Sequence, residues 1–305
     1  MHKRDFLWIA AAFGALVIGG GAARAADRLP VVASFSILAD MVRQVGGERV
    51  DATALVGPDA DAHSYQPTPA DAKALSTARV LVVNGLAFEG WTARLQRSSG
   101  FKGVVVTASA GVTPRPANAA EQGDREARHG TADPHAWQSV ANGKRYVANI
   151  LEGLIKADPE GRAAYAANAA GYLALLDALE AETRAALGSV PASRRKLITS
   201  HDAFGYFAAA YGLSFVAPQG MSTESEASAR DVARLIRQIK AEKAAAVFVE
   251  NISDARLIEQ IGRETGAKVG GVLFSDALSG PDGRAPTYVD MIRHNVRAIV
   301  SALNS

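Results

Sequence analysis

Cysteine is absent from the 305-residue chain. Disulfides therefore cannot stabilise the fold, and a metal site has to use histidine and carboxylate ligands instead of thiolates. An excess of charge of one sign is also lacking, because 33 lysines and arginines stand against 31 aspartates and glutamates. A balanced charge is not typical of a nucleic-acid surface, and we expect no nucleic-acid partner.

Long hydrophobic runs are missing except near the N-terminus, where Phe6 to Val17 follows Lys3 and Arg4. This run is shorter than the roughly 20 residues that span a bilayer. The small-residue sequence Ala23-Arg24-Ala25 follows it, and this order is typical of a secretory signal peptide. We therefore predict a signal peptide over residues 1–25, cleavage after Ala25 and a periplasmic location. A retained membrane anchor is the alternative, and no cysteine offers a site for a lipid anchor.

Short β-branched runs alternate with helical runs on both sides of one long helical stretch. This alternation predicts an α/β fold in which helices cover mainly parallel sheets. We expect an N-terminal lobe over residues 26–157, a connecting helix over 158–189 and a C-terminal lobe over 190–305. The connecting helix is long enough to be a rigid link, with the binding cleft between the lobes.

Within the N-terminal lobe, the sequence also predicts the bounds of two helices and one loop. Ile37–Val45 has the pattern of a helix, with Ser36 as its cap. Leu86–Arg97 has the pattern of a second helix. The stretch 113–131 is rich in alanine, proline, glycine and charge without an apolar period, which predicts a flexible loop.

Three histidines occupy similar places in this predicted topology, namely His63, His135 and His201. Each lies just beyond a predicted strand or loop, at the mouth of a lobe, and Asp276 follows another strand. Ligands of open α/β sheets bind beyond the carboxyl ends of the strands. Three imidazoles and one carboxylate would complete a tetrahedral site suited to Zn²⁺. A single loop histidine is usually only solvated, and Asp276 alone could be a turn residue. The hypothesis of a metal site therefore depends on the similar position of all four residues beyond the ends of predicted strands or loops.

Four motifs give the chain a resemblance to a known family. They are Ala62-His63-Ser64-Tyr65-Gln66-Pro67-Thr68-Pro69, Asp133-Pro134-His135-Ala136-Trp137, Ser200-His201-Asp202-Ala203-Phe204-Gly205-Tyr206-Phe207 and Ser275-Asp276-Ala277-Leu278-Ser279. Nearly the whole chain after residue 25 resembles the zinc and manganese solute-binding proteins of bacterial ABC importers, the cluster A-I family. The resemblance implies two α/β lobes, a rigid connecting helix and a metal ion held in the cleft.

The resemblance also implies ligands and partners. It assigns His63, His135, His201 and Asp276 as metal ligands. Manganese-type members tend to have glutamate at the third position and zinc-type members histidine, so His201 implies Zn²⁺, with Mn²⁺ as the alternative. The implied partners are the membrane permease of an ABC transporter and a periplasmic metallochaperone. We expect the protein to be a monomer and not an enzyme.

Several further residues are candidates for supporting roles. Glu250 is predicted to end a strand at the cleft mouth, and we expect Trp137 and Tyr65 to pack around the ligands and orient them. His129 is the one histidine of the predicted loop and could assist metal capture. Three other functions remain open, namely a secreted zinc hydrolase with Asp202 or Glu250 as general base, a binding protein for an organic solute, and an adhesive surface protein.

Overall fold

The computed structural model describes residues 28–116, 132–224, 228–242 and 246–304. The predicted signal peptide and His129 lie outside these ranges. Of the predicted loop 113–131, only residues 113–116 are described, and Pro116 forms an isolated antiparallel bridge with Ala132. No helix in the described ranges is both long enough and apolar enough to cross a membrane.

The N-terminal lobe is built on a four-stranded parallel sheet in the order β2-β1-β3-β4. Its central strands β1 and β3 are almost wholly buried, as expected for a parallel sheet covered on both faces. The strands are β1 (Leu29–Phe35), β2 (Val50–Val56), β3 (Val80–Val83) and β4 (Val104–Thr107). Its helices are α1 (Ser36–Gly46), α2 (Pro69–Thr77), α3 (Thr92–Ser99) and α4 (Val140–Ala157).

Two local predictions in this lobe are wrong. Ser36 is not a cap, because Phe35 is in the N-cap position and Ser36 is the first residue of α1. The Ser36 hydroxyl instead accepts a hydrogen bond from the backbone N–H of Leu278 in the other lobe. The helix that was predicted over Leu86–Arg97 is α3. It begins at Thr92 and not at Leu86, because Leu86 and Ala87 have φ values of 53° and 61°. Such left-handed backbone angles are incompatible with a right-handed helix.

One long helix, α5 (Arg162–Gly188), lies between the two sheets in the sequence. It has 27 residues, which gives a length of about 40 Å. A 3₁₀ turn over Pro159–Gly161 precedes it. The helix packs against α1 and α4 of the first lobe and against the last helix of the second lobe. Because it contacts both lobes, α5 forms a common support for them.

The C-terminal lobe repeats the same architecture, with a parallel sheet in the order β6-β5-β7-β8. Its strands are β5 (Lys196–Ile198), β6 (Ser214–Val216), β7 (Ala246–Glu250) and β8 (Lys268–Leu273). Its helices are α6 (Gly205–Tyr211), α7 (Ala229–Glu242), α8 (Ala255–Thr265) and α9 (Tyr288–Asn304). These elements confirm the predicted α/β fold of two lobes with parallel sheets and one long helix.

Candidate metal centre

The four predicted ligand residues meet between the lobes. His63 lies in the turn that follows β2, and His135 lies just before the short 3₁₀ helix that leads into α4. From the other lobe, His201 follows β5 and Asp276 follows β8. One ligand-type atom from each residue lies within 4.8 Å of those of the other three, and all four residues are buried.

The distances between these atoms suit a small cation. Nε2 of His63 lies 3.2 Å from Nε2 of His135 and 3.3 Å from Oδ2 of Asp276. Nε2 of His201 lies 3.2 Å from the same oxygen, and Nε2 of His135 lies 3.6 Å from Oδ1 of Asp276. A tetrahedral zinc with bonds of ~2.0–2.1 Å needs donor atoms about 3.3–3.4 Å apart. With Oδ2 as the Asp276 donor, three of the six donor pairs are therefore close to the spacing that zinc requires, and His135 lies nearly as close to the other oxygen, Oδ1.

Several buried polar atoms of this cluster lack a conventional partner. Within the described ranges, neither the carboxylate oxygens of Asp276 nor the Nε2 of His201 has a hydrogen-bond partner. Unsatisfied buried polar atoms are costly. A cation placed among the four side chains would satisfy the Asp276 oxygens and the Nε2 of His201 together, so the residues present fit a metal ion.

The turns that carry His63 and His135 are built in the same way. In each turn, an aspartate two residues earlier accepts a hydrogen bond from the backbone N–H of the histidine, at 2.9 Å from Asp61 to His63 and 2.9 Å from Asp133 to His135. Such local side-chain bonds are typical of aspartate in tight turns. Asp133 also contacts Nδ1 of the His135 ring at 2.9 Å. This contact favours a proton on Nδ1 and leaves Nε2 free to ligate.

Glu250, the last residue of β7, holds His201 in a comparable way. Its Oε1 accepts a hydrogen bond from the backbone N–H of His201 at 2.8 Å, and its Oε2 lies 2.5 Å from Nδ1 of the His201 ring. Both residues are fully buried. The carboxylate therefore fixes the position of His201 and favours a proton on Nδ1, which leaves Nε2 facing Asp276 as an acceptor.

The electrostatics of the cluster reflect burial in competition with charge pairing. Burial lowers the pKa of His63. Burial also disfavours protonation of His135, but the negative charge of Asp276 and the hydrogen bond to Asp133 outweigh it and raise the pKa of His135 to about 9. Burial alone would raise the pKa of Asp276, yet the charges of His135 and His201 hold it well below its usual value. In the metal-free site an ionised carboxylate thus faces protonated imidazole, and a cation would replace those protons.

Trp137 packs against His135 and also joins the lobes. Its ring lies 5.3 Å from that of His135 and 4.9 Å from that of Phe88, measured between centroids. Its indole N–H donates to the backbone carbonyl of Ser275, the residue before Asp276, at 3.0 Å. Trp137 therefore connects His135 in one lobe with the Asp276 turn in the other.

Tyr65 supports His63 indirectly, through a neighbouring residue. Its hydroxyl donates to Asp71 at 2.8 Å, and its ring packs against Trp91 with centroids 5.3 Å apart. The Trp91 indole donates to the backbone carbonyl of Ala62, which precedes His63. The support that Tyr65 gives to His63 thus passes through Trp91.

Sequence reasoning assigned no role to Asp61, Asp133 or Phe88. The Phe88 ring lies 4.5 Å from that of His63 and 5.8 Å from that of His135, so it forms an apolar wall behind both imidazoles. A signal for the two aspartates was present in the chain, because Asp61-Ala62-His63 and Asp133-Pro134-His135 repeat one Asp-x-His pattern. No comparable local signal marks Phe88.

The chain is similar to proteins of known role over nearly its full length. Residues 31–302 match the family model described as the periplasmic zinc-uptake complex component A, ZnuA. The iron-binding protein YfeA of Yersinia pestis is 35% identical over 276 residues, covering 90% of this chain and 86% of that protein. The manganese ABC transporter substrate-binding lipoprotein PsaA of Streptococcus pneumoniae is 28% identical over 306 residues, covering 98% and 97%.

A solved structure is similar to this chain in both fold and sequence. The periplasmic zinc-binding protein TroA of Treponema pallidum superposes with a TM-score of 0.82 at 33% identity, covering 90% of this chain and 99% of that one. The three relatives are named for iron, manganese and zinc, so the family is clear while the metal differs among its members. The chain belongs to the family of the periplasmic zinc-uptake complex component A, whose members are metal-binding substrate-binding proteins of ABC transporters.

Proposed function

We propose that the protein captures Zn²⁺ with high affinity outside the cytoplasm and delivers it to the permease of an ABC importer. His63, His135, His201 and Asp276 would be the ligands of the transported ion. The observation that carries the proposal is the closed set of three imidazoles and one carboxylate, all buried, with no fifth ligand-type side chain among the described residues of the cluster. Four nitrogen and oxygen donors match the coordination number of tetrahedral zinc.

Manganese is the second candidate, because relatives of this chain are named for it. Mn²⁺ favours oxygen ligands, whereas this cluster offers three nitrogens. A periplasmic metallochaperone would be a further partner. We also propose that the mature chain begins at Ala26 and acts as a monomer, with its lobes divided at the connecting helix 158–189.

Replacement of His201 tests both the site and its metal. His201→Glu exchanges a nitrogen donor for a hard carboxylate, and it should narrow the preference for zinc over manganese by at least about tenfold, or ~1.4 kcal/mol. His201→Ala should weaken zinc binding without that relative gain for manganese. Competition titrations of both metals on untagged protein measure these ratios, beside metal analysis of the protein as purified.

His294→Gln is a matched control for these variants. His294 lies on α9, contacts the backbone carbonyl of Val272 at 2.9 Å and is not part of the four-residue cluster. Its replacement should leave both metal affinities unchanged. An unchanged metal preference in His201→Glu would show that His201 is not a ligand, and the proposed site would then have to be revised.

A further inference from the structure

The turn that carries His63 reaches across the cleft at two points. At the first, the backbone N–H of Asp59 donates to the carbonyl of Leu278 at 2.9 Å, and the Asn251 amide donates to the Asp59 side chain at 3.0 Å. Asp59 adopts a left-handed backbone angle, with φ of 53°. Such a conformation persists where surrounding contacts hold it. The second point of contact involves Asp61.

Three hydrogen bonds converge on the carboxylate of Asp61. Its Oδ1 accepts from the backbone N–H of His63 at 2.9 Å. Its Oδ2 accepts from the hydroxyl of Ser64 at 2.8 Å and from the hydroxyl of Thr223 in the other lobe at 2.5 Å. One side chain thus connects the His63 turn directly to the C-terminal lobe.

Thr223 belongs to a segment that is itself attached to the His201 turn. Gln219 forms a parallel bridge with His201, and its backbone N–H donates to the carbonyl of Ser200 at 3.3 Å. The backbone N–H of Asp202 donates to the carbonyl of Gly220 at 3.2 Å. Movement of Thr223 relative to Asp61 would therefore separate the segments that hold His63 and His201.

We infer that Asp61 and Thr223 form an interlobe bridge that positions His63 against His201 and slows release of the bound metal. This inference rests on the proposed function, since it concerns the release of that metal. The bridge has to break before the two ligand turns can part. It should therefore control the dissociation rate more than the association rate, because in the metal-free protein no bound ion holds the two turns together and the bridge can open before capture.

Thr223→Val removes the hydroxyl while keeping the β-branched shape, and Thr223→Ser keeps the hydroxyl. We expect zinc to dissociate about tenfold faster from Thr223→Val than from wild type, with the association rate changed less than about twofold. Thr223→Ser should behave as wild type. Stopped-flow release of Zn²⁺ to a chelator measures dissociation, and mixing with free Zn²⁺ measures association.

Asp61→Ala completes a double-mutant cycle, because it removes the carboxylate that accepts the Thr223 hydroxyl. The effect of Thr223→Val should largely disappear in the Asp61→Ala background if the two residues act through one hydrogen bond. The inference would be overturned if zinc dissociated from Thr223→Val at the wild-type rate, or if it dissociated from Thr223→Ser as fast as from Thr223→Val. Additive effects of the two substitutions in the cycle would also overturn it.

A readout without metal separates this inference from the proposed function. In the metal-free protein, amide hydrogen exchange of residues 59–64 should be faster in Thr223→Val than in Thr223→Ser, because the bridge restrains that turn. If wild type bound no zinc, the proposed function would fail while this comparison still tested the bridge. Equal exchange in the two variants would show that the bridge does not position the His63 turn.

Discussion

Replacement of Glu250 by glutamine tests whether Glu250 orients His201 as a ligand of the proposed metal site. The two carboxylate oxygens of Glu250 contact the backbone N–H and the ring Nδ1 of the same residue, His201. Glutamine has only one acceptor oxygen, and its other terminal atom is an NH₂ donor. If the oxygen stays on the backbone N–H, the NH₂ group faces Nδ1. The ring must then carry its proton on Nε2, the nitrogen that would bind the metal in the proposed site.

The burial and charge of Glu250 indicate how much zinc affinity the Glu250→Gln variant should lose. Removal of a group that orients a metal-bound histidine typically costs about 10- to 100-fold in metal affinity, or ~1.4–2.7 kcal/mol. We expect Glu250→Gln to fall near the upper end of this range. The pair is fully buried, so water cannot replace the lost acceptor. The substitution also removes a negative charge close to the bound cation.

Competitive chelator titrations with Zn²⁺ would measure the change in affinity. Glu182→Gln is a matched control, because Glu182 is exposed and pairs with Arg293 on the surface. It should leave zinc affinity unchanged. Nitrogen NMR of the His201 ring in the metal-free protein would report which nitrogen carries the proton. A zinc affinity within about threefold of wild type in Glu250→Gln would refute the reasoning, as would an equal loss in the control.

Two further predictions concern the other side of the site. A Cβ at Gly205 would lie 2.4 Å from Oδ2 of Asp133, so Gly205→Ala should displace the carboxylate that orients His135 and weaken zinc binding about tenfold by titration. Gly171→Ala is the control, since a Cβ there meets nothing within 4 Å, and equal affinities in the two variants would contradict the prediction. Because the pKa of His135 is raised to about 9, its protonation stabilises the metal-free fold below pH 6.5, and this contribution is lost as the pH rises through 9. Zinc competes with that proton, so the rise in Tm on adding zinc should be larger at pH 8 than at pH 6, and calorimetric scans showing equal rises would oppose this.

Local order was predictable from the sequence because it depends on neighbouring residues. The periods of apolar residues identified the strands and most helices of both lobes, including α1, which was predicted over Ile37–Val45 and is observed over Ser36–Gly46. The start of α3 was missed because the left-handed angles of Leu86 and Ala87 have no signature in apolar spacing. The prediction of Ser36 as a cap was wrong because its hydroxyl instead accepts a hydrogen bond from Leu278, a residue far away in the sequence.

The sequence by itself determined the two βα series, the long helix between them and the placement of chemically capable residues just beyond strand ends. It determined these features because side-chain periodicity and turn chemistry act over a few residues. Only the tertiary structure decided that His63, His135, His201 and Asp276 meet, that Glu250 holds His201, and that Asp61 reaches Thr223. These contacts join residues up to 213 positions apart, and they exist only because both lobes pack on α5 and so bring the ends of two separate sheets to one cleft.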